Sequence, residues 1–251
     1  MPLHTADALI LRTYKLGEAD RIVVFLTGDR GKYRGVAKHA RRPRSRFTGG
    51  LEPLTRARVA YFEREHRDLV RLSYIEPVCS PLVSRSADAL NHVSYFAELI
   101  DEWTPEADPN HKLFRLGASV TQALVDNVPV NRLARYFEYW LLRLQGVYPS
   151  IVTCHQCGAD LSHGGARVVP QEGVFVCDRC GSSDGRMDLS VDALAFLRVA
   201  GTTAPDRLTT VRLSSNSDRE LATVHGRLIE AHLEKKLKSV RVMRELSPTS
   251  R

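Results

Sequence analysis

The sequence predicts a multi-domain α+β protein: a small N-terminal β-barrel, then an α-helical domain with a cysteine-bearing ribbon inserted in it. Three observations carry that prediction. Short β-rich runs fill the first third of the chain, helical periodicity takes over after Pro81, and four of the five cysteines fall into two Cys-x-x-Cys pairs.

The barrel is read from "ALILRTY", "RIVVFLT", "KYRGVAK", "RARVAYFE" and "DLVRLSYIE", runs rich in β-branched and apolar residues. "GDRG" supplies turn chemistry between the second and third runs, and "REHR" at 64–67 is expected to close a hairpin between the last two. Five strands at this spacing fit an oligonucleotide-binding (OB) barrel over residues 1–80.

After Pro81 the period changes. "SADALNHVSYFAELIDEW" sets Ala89, Val93, Phe96 and Ile100 at helical spacing. Helices are also expected over "NHKLFRLGASVTQALVD" and over "VNRLARYFEYWLLRLQG", the latter stopped by Gly146. "LSVDALAFLRVAG" resumes the pattern with Ser190 as N-cap, and one last long helix is expected from Ser217, with Glu220 completing a capping box. The expected domains are thus 1–80 (barrel), 81–150 and 187–246 (the two parts of the helical domain), 151–186 (ribbon) and 247–251 (a frayed tail).

Cys154 and Cys157 are separated from Cys177 and Cys180 by 19 residues, the spacing of a structural zinc site. Four thiolates on two turns close a tetrahedral shell around one Zn²⁺, leaving no open position for catalysis. Gly158 and Gly181 follow each second cysteine, and "RVVPQEGVFVC" reads as a hairpin between the pairs. A zinc deaminase is excluded: Val176, not Pro, precedes Cys177, and the only His-x-Glu is His232-Leu233-Glu234, downstream. His155 and His163 are expected in exposed loops, and Cys79 as a buried apolar residue.

Nothing here reads as an enzyme. Gly31-Lys32 is followed by Tyr33 where a phosphate loop needs Ser or Thr, and neither a G-x-S-x-G elbow nor an H-E-x-x-H motif occurs. No apolar run approaches a membrane span, and the start lacks the pattern of a secretory signal, so a cytoplasmic setting is expected.

The net charge of +7 is concentrated. Residues 1–80 hold 16 Lys+Arg against 9 Asp+Glu; the remainder balances at 20 of each. Such asymmetry points to a polyanion partner for the first domain. Its densest part is "KYRGVAKHARRPRSRFTGG", where period-two alternation sets Lys32, Arg34 and Lys38 on one strand face. Arg41, Arg42, Arg44 and Arg46 follow on what Pro43 and the glycines predict to be a mobile loop, and Arg56 and Arg58 form a second same-face pair. Arginine forks suit phosphates. Phe47 and Tyr61 are candidate stacking platforms for single strands. The alternative to a DNA partner is a zinc-ribbon transcription or RNA-binding factor.

The chain also resembles a known family. "ALILRTYKLGEADRIVVFLTGDRGKYRGVAKHARRPRSRFTGGLEPL" is similar to the opening of the bacterial recombination mediator family RecO, and "LLRLQGVYPSIVTCHQCG" to its run into the first cysteine pair. His39 stands where that pattern would place Gly. The resemblance implies a nucleoid-associated mediator without catalytic activity. It would bind single- and double-stranded DNA, anneal complementary strands, and help load RecA, with RecR as direct partner, onto strands coated by single-stranded DNA-binding protein. A basic-rimmed helical pocket would suit that protein's acidic C-terminal tail; Arg132, Arg135, Lys235, Lys236, Lys238 and Arg241 are the candidates. No membrane partner is implied.

Overall fold

The structure, a computed structural model, describes residues 2–63, 68–84, 86–161, 164–169, 172–181 and 187–246. The expected "REHR" hairpin connection, His163 and the tail lie outside the described residues. The chain divides into two compact units, Met1–Asn127 with Leu237–Arg251, and Val128–Lys236. The first two helices therefore group with the barrel, and so does the end of the chain.

In the first unit, β1 (Leu3–Leu16), β2 (Asp20–Thr27), β3 (Gly31–Ala37), β4 (Arg56–Phe62) and β5 (Leu69–Cys79) close a barrel in the order β1-β2-β3-β5-β4, with β4 pairing back to β1. Only β3 and β5 run parallel. This is the five-stranded OB-like barrel that the strand pattern predicts. Alternation sends Ala8, Ile10, Val23, Phe25, Ala57, Val59 and Tyr61 inward to one core. Closure gives each of the five strands a neighbour on both sides, where a small open sheet would leave two edge strands bare.

Helices α1 (Ala87–Trp103) and α2 (His111–Val125) pack on the outside of β1. Ser86 and Asn110 cap their first turns, accepting the amides of Ala89 and Leu113. Gly117 is what lets α2 approach: a Cβ there would stand 2.6 Å from Leu9 Cδ1 and 2.8 Å from Ile100 Cδ1. A third helix, α6 (Lys238–Leu246), returns from the far end of the chain to pack on α1.

The second unit is built on α3 (Val130–Leu144), α4 (Val191–Ala200) and α5 (Ser215–Leu233), with a three-stranded ribbon of β6 (Ala166–Val169), β7 (Val174–Val176) and β8 (Asp188–Leu189) ordered β7-β6-β8. Gly146 takes φ +71° after α3, the left-handed stop expected of it. Between α3 and α5 lies a buried polar chain. His225 Nδ1 donates to Glu138 Oε2 and the Tyr148 hydroxyl donates to His225 Nε2, each at 2.9 Å; Arg135 adds a 3.1 Å ion pair to the same carboxylate. Burial holds the His225 imidazole below its ordinary range, despite Glu138, and raises the Tyr148 hydroxyl well above its own.

Two helix expectations are corrected. The last long helix is two helices: Glu234 takes a left-handed φ of +53°, ending α5, and α6 begins at Lys238. The cap of α5 is Ser214, whose Oγ accepts the Ser217 amide at 3.1 Å. Ser217 is itself buried, and Glu220 turns to the Ser190 amide and hydroxyl at 2.9 and 2.7 Å instead of closing a capping box.

Candidate nucleic-acid interface and metal centre

The basic stretch divides into two electrostatic classes. On the strands, each cation carries a resident carboxylate. Lys32 Nζ sits 2.9 Å from Asp101 Oδ1 and donates to the Asp101 carbonyl at 2.7 Å, both side chains only 13% exposed. Arg34 pairs with Glu106 at 2.8 Å, Arg56 with Asp7 at 3.2 Å, and Arg58 with Glu76 at 4.0 Å, all three pairs open to solvent. In the loop, Lys38, Arg42, Arg44 and Arg46 are exposed and have no carboxylate partner among the described residues.

That loop is built from closed turns and fastened at both ends. Successive turns close through Arg42 N to His39 O, Ser45 N to Arg42 O and Thr48 N to Ser45 O, each at 3.1 Å. Arg41 fastens one end to the β1–β2 turn, its guanidinium donating to Glu18 O at 2.8 Å and Gly17 O at 3.3 Å and its amide to Ala19 O. Phe47 fastens the other by entering the barrel core, fully buried. His39 takes φ +60°, and its amide donates to Asp20 Oδ1 at 2.7 Å. The left-handed region favours Gly, and His39 holds it here with that hydrogen bond.

The stacking platforms are corrected by the same burial. Phe47 and Tyr61 are core residues with no exposed surface, because an aromatic of that volume is worth more inside a small barrel than on it. Phe47 instead lies under the Arg46 guanidinium, 5.1 Å from its ring centre. Tyr74 on β5 is an exposed aromatic, as is Tyr14 on β1. Arg71, also exposed, is set opposite Val36 in the β3–β5 pairing, which makes it a diagonal neighbour of Arg34. Neither was singled out from the sequence, although the inward pair Val70 and Leu72 already turns Arg71 outward.

Of the residues proposed for tail binding, Arg132 and Arg135 are spent internally. Arg132 donates to the carbonyls of Leu208 and Thr209, and Arg135 pairs with Glu138 and Asp218. Lys235 and Lys236 close the second unit, whereas Lys238 and Arg241 lie on α6 of the first. Arg241 pairs with Glu245 at 3.8 Å.

The four ribbon cysteines converge. Cys154 and Cys157 sit on a turn closed by Gly158 N to Cys154 O; Cys177 and Cys180 sit on a turn entered directly from β7 and closed by Gly181 N to Cys177 O. Their sulfurs all lie within 4.8 Å of one another, with Cys157 and Cys177 at 3.7 Å. Tetrahedral bonds of about 2.3 Å to one ion would hold sulfurs about 3.8 Å apart, so the cluster fits a metal ion. Backbone donors prepare it for one. Burial would raise the Cys154 thiol, but the amides of Cys157, Cys177 and Gln156 bring it down to about 6. Cys180, hydrogen-bonded to the sulfurs of Cys157 and Cys177, is pushed up to about 12. Four thiols this close can all ionise only around a cation. His155 is exposed beside the cluster, and Cys79, half-buried at the end of β5, stands apart from it.

Among the described residues no helix is long and apolar enough to cross a membrane. The matches to known proteins run across barrel, helices and cysteine cluster alike. The family model for "Recombination protein O N terminal" matches residues 1–81, and that for "Recombination protein O C terminal" matches 85–241. The chain is 34% identical to the DNA repair protein RecO of Koribacter versatilis, over 97% of this chain and 99% of that protein. It is 32% identical to that of Geobacter metallireducens (96% and 97%) and 31% identical to that of Geobacter sulfurreducens (96% and 98%). Matched along nearly its whole length on both sides, the chain belongs to the RecO family of DNA repair and recombination proteins.

Proposed function

We propose that the protein is a recombination mediator that works by charge and not by catalysis. It binds single- and double-stranded DNA, anneals complementary strands, and with RecR helps RecA onto strands coated by single-stranded DNA-binding protein. The cysteine cluster holds one structural Zn²⁺, and the setting is the cytoplasm, on the nucleoid.

One observation carries this reading: a turn-built loop on a closed barrel that presents Lys38, Arg42, Arg44 and Arg46 without resident acids. Unpaired guanidinium groups meet phosphates at the least cost, because no internal ion pair must break first. Arg71, Arg34, Arg56 and Arg58 extend the charge along the strands, and Lys32 contributes to the field from its buried pair. Neutralising phosphates also lowers the repulsion between two strands, which is the physical requirement of annealing. For tail capture, Lys235, Lys236, Lys238 and Arg241 are the exposed candidates, the last in a 3.8 Å surface pair with Glu245.

The test is strand annealing and oligonucleotide binding by the triple variant Arg42→Gln, Arg44→Gln, Arg46→Gln. Arg41 is left in place because it fastens the loop. The parent protein should show log affinity for single strands falling against log salt with a slope of roughly −3, and the variant a slope near −1 with annealing lost. A variant that is folded by circular dichroism and anneals as well as the parent overturns the reading.

A further inference from the structure

We propose that Glu106 is an internal competitor for DNA: its carboxylate occupies Arg34 in the free protein and withholds that guanidinium from phosphate until a polyanion displaces it. The inference rests on the reading that the barrel cations meet a phosphate backbone, and it adds a regulation built into that surface.

The carboxylate is placed by backbone, not by chance. Among the described residues β5 pairs with β3 at Arg34, Gly35 and Val36, and the edge of β3 at Lys32 lies outside that pairing. The segment after α1 fills it. Glu106 bridges Lys32 in parallel, and the Ala107 amide donates to Lys32 O at 3.0 Å. Gly31, at φ +80°, permits this approach: a Cβ there would stand 2.4–2.5 Å from the backbone of Asp108. With the chain so laid, the Glu106 carboxylate reaches Arg34, two residues along β3 from Lys32, at 2.8 Å.

Three kinds of cation result. Lys32 is locked, because its pair with Asp101 is almost wholly buried. Arg42, Arg44 and Arg46 in the loop have no acid partner among the described residues. Arg34 lies between: it is 43% and Glu106 52% exposed, so water and salt reach the pair and hold it weakly. A carboxylate and a phosphate present the guanidinium with the same kind of acceptor. Exchange of one for the other needs no rearrangement of the barrel, only a high local density of phosphates, which DNA already seated on the loop would supply. The neighbouring Arg71, which has no acid partner among the described residues, would favour the incoming phosphate.

The test is fluorescence-anisotropy binding of a labelled oligothymidylate to the full-length protein, its Glu106→Gln and Arg34→Gln variants and the double variant. Glu106→Gln should tighten binding about two- to fivefold, the range an exposed ion pair can withhold. In the Arg34→Gln background the same change should have little effect, since its target is gone. Equal tightening in both backgrounds would reduce Glu106 to one negative charge among many and overturn the competitor, as would no tightening at all. Should the parent protein bind the oligonucleotide without salt dependence, the phosphate reading falls and the competitor with it. Salt-dependent parental binding with an inert Glu106→Gln discards the competitor alone.

Discussion

Glu98 Oε2 accepts the backbone amide of Ser239 at 2.7 Å, across 141 residues of sequence, while its Oε1 takes the Lys238 amide at 3.1 Å. One nearly buried carboxylate thus caps the first turn of α6, supplying acceptors to amides that a helix N-terminus leaves unpaired. Burial alone would raise Glu98, but these donors, with Ser239's side chain and Arg12, hold it below the ordinary carboxylate range.

A carboxylate lowered on folding stabilises above its unfolded value and loses that contribution as pH falls toward the folded one. The first unit should therefore weaken as pH drops below about 4.5. Glu98→Gln should cost about 1–3 kcal/mol at pH 7 and flatten this acid limb. Denaturant melts of the two proteins at pH 7 and pH 4 check it; parallel acid limbs would contradict the capping role.

The ribbon should carry one zinc per chain, removed by a strong chelator or by Cys154→Ser. Structural zinc sites of this kind draw about 10–16 kcal/mol from the metal, more than so small a sheet can replace. Amide protection in β6 and β7 should vanish on removal and persist in the barrel, as read by hydrogen exchange. Metal-free protein with a protected ribbon would refute the assignment.

Phe47→Ala should destabilise the barrel by about 3–5 kcal/mol, since it empties a fully buried site. Arg46→Gln should change stability by less than about 1 kcal/mol while weakening binding to DNA. The contrast separates an anchor from a contact. A stable Phe47→Ala protein with selectively poor DNA binding would restore the stacking role to Phe47.

In the second unit, Glu138→Ala should cost about 3–5 kcal/mol, because it strands the buried His225 without its acid and takes one of Arg135's two carboxylates, leaving it Asp218. His225 is kept neutral by burial, with a folded value below 6.5. Its contribution is complete above that pH and is lost as pH falls toward the folded value. Tyr148→Phe should leave the direction of this dependence unchanged and remove about 1 kcal/mol. Thermal melts between pH 8 and pH 5 provide the measurement.

The strands and helices were legible because a period of two or 3.6 is local information, and the cysteine spacing was legible for the same reason. What could not be read was which cations keep an acid. Asp101 comes to Lys32 from the last turn of α1, Glu106 comes to Arg34 from just beyond that helix, and Asp7 comes to Arg56 from the neighbouring strand β1, 49 residues earlier. Charge counting treats all nine proposed DNA residues alike, whereas pairing splits them. The break between α5 and α6 was hidden for a different reason: a glutamate, not a glycine, adopts the left-handed stop at 234. Ser214, Ser215 and Ser217 are chemically equivalent caps, and the choice among them is made by the burial of Ser217.

Because α6 belongs with the barrel while the ribbon is encoded before it, the ribosome completes the second unit's chain before releasing the final piece of the first. A product truncated ahead of residue 238 would leave Glu98 without its two amide donors and Arg12's acidic neighbourhood uncovered. Loss of that last stretch should therefore weaken the first unit even though every strand of its barrel has already been made.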